Sequence, residues 1–181
     1  ASNALDFDDI IMQTVFLLRN DEEVRRYYAG KFRYICVDEY QDTNPAQFAL
    51  CSLFASGWRN IMVVGDDDQS IYRFRGATIE NILSFDTTYP DARVIKLEQN
   101  YRSTKTILDA ANAVIGKNAG RRPKTLWTEN GSGKKIVLEE CDDEASEARR
   151  ISDIILKLVA EKKYSYRDFA VLYRVNAQAN T

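Results

Sequence analysis

The chain has 181 residues, of which 45% are hydrophobic and 29% are charged, with 25 Lys and Arg against 27 Asp and Glu. This length suits one domain, or one domain and part of another. The net charge of −2 excludes a globally basic nucleic-acid-binding protein, so any contact with nucleic acid must come from a local patch. No stretch approaches the roughly 20 apolar residues of a membrane span, so we expect no membrane partner.

Cysteine and histidine usage narrows the chemistry further. Cys36, Cys51 and Cys141 form no CxxC pair, and their scattered spacing fits a reducing, cytoplasmic compartment. The chain has no histidine, which excludes Ser-His-Asp catalysis, Cys-His catalysis and histidine-ligated zinc within it. Acid–base chemistry would therefore fall to carboxylates. The opening Ala1–Ala4 is either a cloning scar or native sequence.

Helices and strands alternate along the first two thirds of the chain. The predicted elements are a helical region over 7–29, a strand over 34–37, a helix from Pro45 to about Ala55 with Asn44 as N-cap, a strand over 61–64, a helix near 79–85, a strand over 93–97, and a helix capped by Ser103 or Thr104 that runs to about Ile115. The apolar runs of the first two strands favour burial on both faces, Cys36 included. The alternation indicates a parallel sheet with helix crossovers.

The character of the sequence changes near Gly116. The polar segment 116–123 contains two glycines and a proline, which makes it a candidate linker or hinge. Beyond it we predict a strand over 136–138, a long helix capped by Asp142 or Asp143, and a strand over 169–173. Two strands and one full helix make a small domain, so we expect this chain to be a piece of a larger protein.

Two adjacent carboxylates, Asp38 and Glu39, directly follow the first predicted strand. Open α/β sheets bind ligands just outside the carboxyl ends of such strands. A phosphoryl-transfer site needs one carboxylate for Mg²⁺ and one group to position or deprotonate the attacking water. Adjacent carboxylates can divide those roles. For a bare Asp-Glu pair, a solvated turn is the structural alternative, and the pair alone favours it.

A second polar loop, residues 65–77, follows the second predicted strand. Its three consecutive aspartates at 66–68 repel one another, which favours an exposed or metal-facing loop. Gln69 offers a neutral amide that can hydrogen-bond both a phosphate oxygen and a water molecule.

Aromatic and basic residues alternate at the end of this loop. If the segment is extended, Tyr72 and Phe74 lie on one face and Arg73 and Arg75 on the other. Aromatic rings that stack on bases, beside cations that bind phosphates, form a platform for single-stranded nucleic acid. A strand with one buried aromatic face is the alternative.

A third polar segment follows the third predicted strand. Arg102 lies just before a helix start, where anions bind readily, and its guanidinium suits phosphate oxygens. Tyr101 could stack on a planar ring, whereas a capped turn with a surface arginine is the structural alternative. Because all three polar segments follow predicted strands of one sheet, we expect them along one edge of it.

In order and in spacing, these segments resemble motifs II, III and IV of the UvrD/Rep/PcrA helicases of superfamily 1. The segments are Val37-Asp-Glu-Tyr-Gln-Asp-Thr-Asn44, Gly65-Asp-Asp-Asp-Gln-Ser-Ile-Tyr-Arg-Phe-Arg-Gly-Ala77 and Gln99-Asn-Tyr-Arg-Ser-Thr104, with Leu5–Asp9 and Phe169–Gln178 resembling flanking family segments. The resemblance implies an α/β fold of the RecA-like P-loop NTPase class, a parallel sheet with flanking helices. It also implies that this sheet is incomplete here and that the start of a second RecA-like domain follows it. It implies that residues 1–118 are the C-terminal part of the first motor domain, 119–125 a hinge, and 126–181 the N-terminal part of the second.

The resemblance also implies roles for the nucleotide-facing residues. Asp38 would coordinate Mg²⁺, and Glu39 would activate the hydrolytic water. Gln69 would sense the γ-phosphate, Tyr101 would stack on adenine, and Arg102 would contact the γ-phosphate. The implied cofactors are ATP and Mg²⁺.

Tyr72, Phe74 and Arg75 would face single-stranded DNA in the same family. The family often has Trp at the position of Phe74, and the smaller ring predicts a weaker grip on the base there. The implied partners are single-stranded DNA, duplex/single-strand junctions and the missing parts of the parent protein.

The phosphate-binding loop that such an ATPase needs, GxxxxGK[ST], is absent from the sequence. The nearest match, Gly131-Ser-Gly133-Lys134-Lys135, has Lys in place of Ser or Thr and precedes a predicted strand instead of following one, so we interpret it as a polar turn. The resemblance therefore implies a fragment of an ATP-dependent 3′–5′ DNA helicase for DNA repair or replication, and the missing loop predicts that this fragment is inactive alone. The alternatives are a non-catalytic DNA-binding module and the helicase arm of a helicase–nuclease.

Overall fold

The computed structural model describes residues 4–176 and residue 178. Its helices are α1 (Phe7–Asn20), α2 (Glu22–Lys31), α3 (Pro45–Ala55), α4 (Glu80–Leu83), α5 (Phe85–Thr88), α6 (Lys105–Ile115) and α7 (Glu144–Ala160), and its strands are β1 (Ile35–Val37) and β2 (Ile61–Val63). Four 3₁₀ turns lie entirely within the described residues: Tyr40–Asp42, Asp67–Gln69, Arg73–Arg75 and Tyr166–Asp168. Residues 1–3 of the opening segment and Ala177 of the last family-like segment lie outside the described part.

Two of the predicted helical stretches are each divided into two helices. Asp21 ends α1, and its carboxylate accepts a hydrogen bond from Val24 N, so the predicted region 7–29 is two helices. The predicted helix near 79–85 is likewise two short helices, which meet at Ser84. The predicted caps of α3 and α7 are confirmed at Asn44 and Asp143. None of the described helices is long and apolar enough to cross a membrane.

The sheet consists of two parallel strands with α3 as the crossover between them. Ile35 pairs with Ile61 and Val37 with Val63, which confirms the first two predicted strands and their direction. The prediction that both faces are buried is wrong, because Cys36 and Met62, which point to the same face, are exposed while the flanking strand residues are half-buried. A parallel sheet is buried on both faces only where helices cover each of them.

Three predicted strands, over 93–97, 136–138 and 169–173, are not strands in the structure. Within the described residues, the ladder between β1 and β2 is the only strand pairing, apart from one isolated bridge between Gln99 and Trp127. The apolar side chains of these segments are largely exposed, with Leu138 at 94% and Leu172 at 92%. A strand needs a partner for its backbone hydrogen bonds, so β-type composition without a partner leaves the segment irregular.

The chain divides into two compact units, residues 1–133 and 134–181. In the first unit α1 packs on α2 and α3, and its core includes Val15 and Leu18 of α1 with Ala55 of α3. In the second unit no described residue is buried. The second unit therefore lacks a core of its own among its described residues.

We expect Asn44→Ala to destabilise the first unit by about 1 kcal/mol. Asn44 Oδ1 accepts a hydrogen bond from Gln47 N (2.9 Å), and Gln47 Oε1 accepts one from Asn44 N (3.0 Å). Urea unfolding of the chain measures the loss. Thr104→Ala is the matched control, because Thr104 is the N-cap of α6 but makes no side-chain capping bond. An equal loss in both variants would contradict the assignment.

Candidate functional site

The turn Tyr40–Asp42 joins the ends of the two strands. Tyr40 N donates to Val64 O (2.9 Å), and Val64 N donates to Val37 O (2.8 Å), so the ladder continues one step beyond the strands. The Tyr40 ring is fully buried and meets Phe85 edge to face. Burial raises the pKa of the Tyr40 hydroxyl well above its ordinary value, which keeps the group neutral. The buried Tyr40 ring and these backbone hydrogen bonds therefore fix the position of the turn that follows Asp38 and Glu39.

Asp38 and Glu39 lie at the end of β1, as the sequence predicts, and both are exposed. Glu39 has φ +48° and ψ +43°, a left-handed conformation that is uncommon for a residue with a side chain. Asp38 Oδ1 accepts a hydrogen bond from Glu39 N (2.9 Å), which holds this conformation. Backbone strain of this kind clusters at functional sites.

Gln41 connects the Asp-Glu pair to the loop after β2. Its side chain is buried; Nε2 donates to Glu39 Oε2 (2.7 Å), and Oε1 accepts from Asp66 N (3.0 Å). Ser70 Oγ donates to the Gln41 carbonyl (3.2 Å). A single buried amide therefore links the first two candidate motifs, and its hydrogen bonds are worth more than exposed ones because water does not compete for them.

A second link joins the same two segments farther along the chain. Thr78 N donates to the Thr43 carbonyl (3.1 Å), and Asn81 Nδ2 donates to the same carbonyl (3.0 Å) and to Thr43 Oγ1 (3.1 Å). Residues 65–77 are thus anchored at both ends to the segment that carries Asp38 and Glu39.

The three aspartates of the loop are paired with basic side chains. Lys124 Nζ lies 2.5 Å from Asp66 Oδ1, 2.7 Å from Asp67 Oδ1 and 3.3 Å from Asp68 Oδ2. Arg121 binds Asp68 through Nε (2.8 Å) and Nη2 (2.6 Å). The prediction of an exposed loop is wrong at these three positions, because cations remote in sequence pair with the carboxylates and leave them only partly accessible. The alternative of a metal-facing loop stays a prediction.

The ion pairs set the protonation states of these groups. Burial alone would raise the pKa of the Asp66 carboxyl, but hydrogen bonds from Lys124, Gln69 and Asp68 N outweigh it and lower the pKa below its ordinary value. The pKa of Asp67 is lowered in the same way, against burial, by Lys124 and by the backbone N–H of Arg122. The pKa of Lys124 is raised, because its bonds to the aspartates outweigh burial. Both carboxylates and the ammonium are charged at neutral pH.

The aromatic-basic segment is a 3₁₀ turn and not the extended strand that the sequence suggested. Gly76, at φ +84°, closes the turn in a conformation that suits glycine. The rings of Tyr72 and Phe74 lie 5.9 Å apart, and the Arg75 guanidinium lies 5.1 Å and 5.5 Å from their centroids. Arg75 therefore shares a surface with the two rings instead of lying on the opposite face.

Tyr101 and Arg102 lie in a tight turn before α6, and both are exposed. Asn100 Oδ1 shapes the turn by accepting from Arg102 N (3.0 Å) and Ser103 N (2.7 Å). Within the described residues the Arg102 guanidinium makes no hydrogen bond or ion pair. It is therefore available to bind an anion from solution.

The N-terminus of α6 differs from the prediction of an anion-binding helix start. Lys105 N donates to the Gly131 carbonyl (3.1 Å), and Thr106 N donates to the Ser132 carbonyl (3.3 Å). Because carbonyl groups already occupy these donors, an anion here would depend on the Arg102 guanidinium. The segment around Gly131 is accordingly an irregular turn whose carbonyls cap α6, in agreement with the polar turn that the sequence predicts.

The structure connects Glu39 and Gln69 through Gln41 and Asp66, whereas the described contacts do not join Arg102 to this network. Gln41 and Lys124 are the residues that sequence reasoning missed. Gln41 lies within the first motif, but nothing in its position shows that it is buried. A signal for Lys124 was available in the charge complementarity between 66–68 and the basic residues near 121–124.

Comparison with known families decides which family the chain belongs to. Residues 1–90 match the family described as "UvrD/REP helicase N-terminal domain". Residues 95–181 match the family described as "UvrD-like helicase C-terminal domain". The chain belongs to the UvrD/PcrA-like helicases of superfamily 1. This confirms the resemblance that the three motifs indicated.

Individual relatives of this UvrD-like chain agree. The proteins named ATP-dependent DNA helicase PcrA from Staphylococcus aureus (strain NCTC 8325 / PS 47) and from Staphylococcus epidermidis (strain ATCC 12228 / FDA PCI 1200) are 56% and 53% identical to it over 178 residues. The match covers 98% of this chain but only 24% of each relative. The chain thus spans about a quarter of the length of these relatives.

We expect Gly65→Ala to destabilise the UvrD-like chain by about 1–3 kcal/mol, because an added methyl group overpacks the junction. A Cβ at Gly65 would lie 2.5 Å from Gln41 Oε1 and 2.9 Å from Ile82 Cδ1. Urea unfolding measures the effect. Gly30→Ala is the control: it lies within α2, a Cβ there would meet nothing within 4 Å, and the substitution should stabilise by about 0.5–1 kcal/mol. Destabilisation by both would argue against steric pressure at Gln41.

Proposed function

We propose that this chain is an internal part of an ATP-dependent DNA helicase that couples ATP hydrolysis to 3′–5′ translocation on single-stranded DNA. The observation that carries the proposal is the buried Gln41 bridge, which ties Glu39 to the loop of Gln69 and Phe74. The names of the relatives support the nucleotide and the substrate. A role in DNA repair or replication, with duplex/single-strand junctions as substrates, belongs to the same proposal.

Asp38 fits one ligand of a nucleotide-bound Mg²⁺. Asp38 is exposed, and its Oδ1 accepts a hydrogen bond from Glu39 N. Its other carboxylate oxygen, Oδ2, makes no hydrogen bond within the described residues. Mg²⁺ is commonly held by one or two carboxylates together with waters and substrate phosphates, so a single Asp suffices as the contribution of this segment. When bound, the ion would neutralise charge on the phosphates.

Glu39 is the proposed base that orients and deprotonates the attacking water. Gln41 Nε2 binds Glu39 Oε2, which fixes the carboxylate and leaves Oε1 without a hydrogen bond among the described residues. Gln69 is the proposed sensor of the γ-phosphate, and Arg102 is the proposed counter-charge to it. Tyr101, which is 79% exposed, offers a free face for the adenine ring.

The surface formed by Tyr72, Phe74 and Arg75 is the proposed contact with single-stranded DNA. Phe74 is 78% exposed, so its ring is available to a base, and Arg75 adds a positive charge beside it. Only a few residues separate Gln69 from Phe74, at most about 17 Å of chain. A change at the γ-phosphate could therefore reach the DNA surface through one short loop.

The domain division also belongs to this proposal. We place the first motor domain over residues 1–118, a hinge over 119–125 and the start of the second motor domain over 126–181. Two other boundaries lie on either side of this proposed hinge. The two family matches are separated between residues 90 and 95, and the compact units divide after Gly133. Because the sequence lacks a Walker A loop, we propose that the isolated chain does not hydrolyse ATP.

In the intact protein we expect Glu39→Gln to abolish DNA-stimulated ATP turnover while ATP binding persists, because the substitution removes the base and keeps the shape. Turnover is measured as phosphate release with and without single-stranded DNA, and binding with a fluorescent ATP analogue. The isolated 181-residue chain should show no turnover. A wild-type intact protein that binds DNA without DNA-stimulated turnover would instead support the non-catalytic module.

We expect Phe74→Ala to weaken binding of single-stranded DNA by the intact protein by about 1–3 kcal/mol, or roughly 5- to 150-fold. Fluorescence anisotropy of a labelled oligonucleotide measures the affinity. Phe74→Trp is the matched variant and should tighten binding, because the larger ring offers more stacking area. Unchanged affinity in both variants would exclude a stacking role.

A further inference from the structure

Lys124 occupies the centre of the cluster formed by Asp66, Asp67 and Asp68. Oxygens of the three carboxylates lie within 4.8 Å of one another, a spacing that also suits a metal ion. Lys124 Nζ is within 3.3 Å of an oxygen from each of them. The ammonium donates hydrogen bonds to Asp66 and Asp67 and forms an ion pair with Asp68, so one side chain serves the whole cluster.

Asp66 transmits this interaction to Gln69. Asp66 Oδ1 accepts from Lys124 Nζ (2.5 Å), and Oδ2 accepts from Gln69 Nε2 (2.6 Å). An ionised carboxylate only accepts hydrogen bonds, so the Gln69 amide must present its nitrogen to Asp66 and its oxygen Oε1 away from it. The direction of the Gln69 carbonyl therefore depends on the orientation of the Asp66 carboxylate.

Neighbouring basic residues deliver Lys124 to this position. Arg121 binds Asp68 through two nitrogens, Arg122 N donates to Asp67 Oδ2 (2.7 Å), and Arg122 Nη2 donates to the Leu83 carbonyl (2.6 Å). The side chains of Asp67 and Asp68 are only 7% and 6% exposed, so these pairs are shielded from water and salt. The segment Arg121–Lys124 is thereby held against the Gln69 loop.

We propose that Lys124 is a positioning residue for Gln69 and acts through Asp66. Gln69 is exposed and has three rotatable side-chain bonds, so packing alone does not hold its amide. The charge of Lys124 holds the Asp66 carboxylate, and that carboxylate holds the amide in the direction that a γ-phosphate or an attacking water would meet. The inference rests on the proposed role of Gln69 in ATP hydrolysis.

The first test measures the order of the loop in the intact protein by hydrogen exchange of the amides over 66–76. Lys124→Met should speed exchange at Asp68, whose N–H donates to Asp66 Oδ1, and at Gln69, whose N–H donates to Asp66 O. Lys124→Arg should restore part of the protection, because it keeps the charge but not the compact geometry. Lys105→Met is the matched control; it removes an exposed ion pair with Asp109, and exchange in the loop should stay unchanged.

The second test is a double-mutant cycle on DNA-stimulated ATP turnover by the same protein. Lys124→Met should lower kcat by about 10- to 100-fold, the size of effect that a misplaced group produces, while the KM for ATP changes little. In a Gln69→Ala background, Lys124→Met should cause no further loss, because the residue through which it acts is gone. A purely structural role would lower kcat equally in both backgrounds.

Two results would overturn the inference. The first is unchanged hydrogen exchange of the loop in Lys124→Met. The second is that Lys124→Met lowers kcat by the same factor in the Gln69→Ala background as in the wild-type background. The proposed function fails separately, if the wild-type protein shows no DNA-stimulated turnover. In that case the exchange measurement still decides whether Lys124 orders the loop. The thermal unfolding midpoint of each variant is measured as a stability control. A midpoint equal to that of Lys105→Met shows that global unfolding does not cause the change in exchange or kcat.

Discussion

The buried amide of Gln41 bridges two segments that are 25 residues apart, and the geometry of the candidate site depends on it. Its nitrogen donates to the carboxylate of Glu39, and its oxygen accepts from the N–H of Asp66, the first of the three aspartates in the acidic loop 65–77. Both ends of the amide are used, so neither segment can shift without leaving a buried polar group unpaired, at a cost of about 1–3 kcal/mol. Gly65 permits this close approach because it has no Cβ.

Charge compensation within the chain explains how three adjacent aspartates can be folded inward. Three like charges in sequence would repel and remain in solvent, yet Lys124 and Arg121 lie within hydrogen-bonding distance of them. These cations come from a segment more than 50 residues away in sequence. The acidic loop is thus held by two kinds of interaction: a neutral amide on one side and an ion-pair cluster on the other.

Local sequence predicted the parts of the fold that short-range physics controls. The cap at Asn44, with Pro45 in the first turn, predicted the start of α3, and the apolar runs predicted β1 and β2. The failed strands, such as 136–138, have β-type composition but no hydrogen-bonding partner among the described residues. Pairing is a property of two segments, so composition of one of them could not decide it.

The sequence alone determined the family, the order of the three motifs and the identity of the chemical groups, because these depend on residue type and spacing. It also determined where α3 begins, since the Asn44 cap is local, and it narrowed the starts of α6 and α7 to two candidate caps each. Tertiary structure decided the rest: the left-handed backbone of Glu39, the burial of Gln41, the turn that brings Arg75 onto Tyr72 and Phe74, and the cations that bind Asp66, Asp67 and Asp68. Each of these depends on contacts with other parts of the chain or on backbone angles that residue type does not specify, and only the folded chain brings such groups within hydrogen-bonding distance.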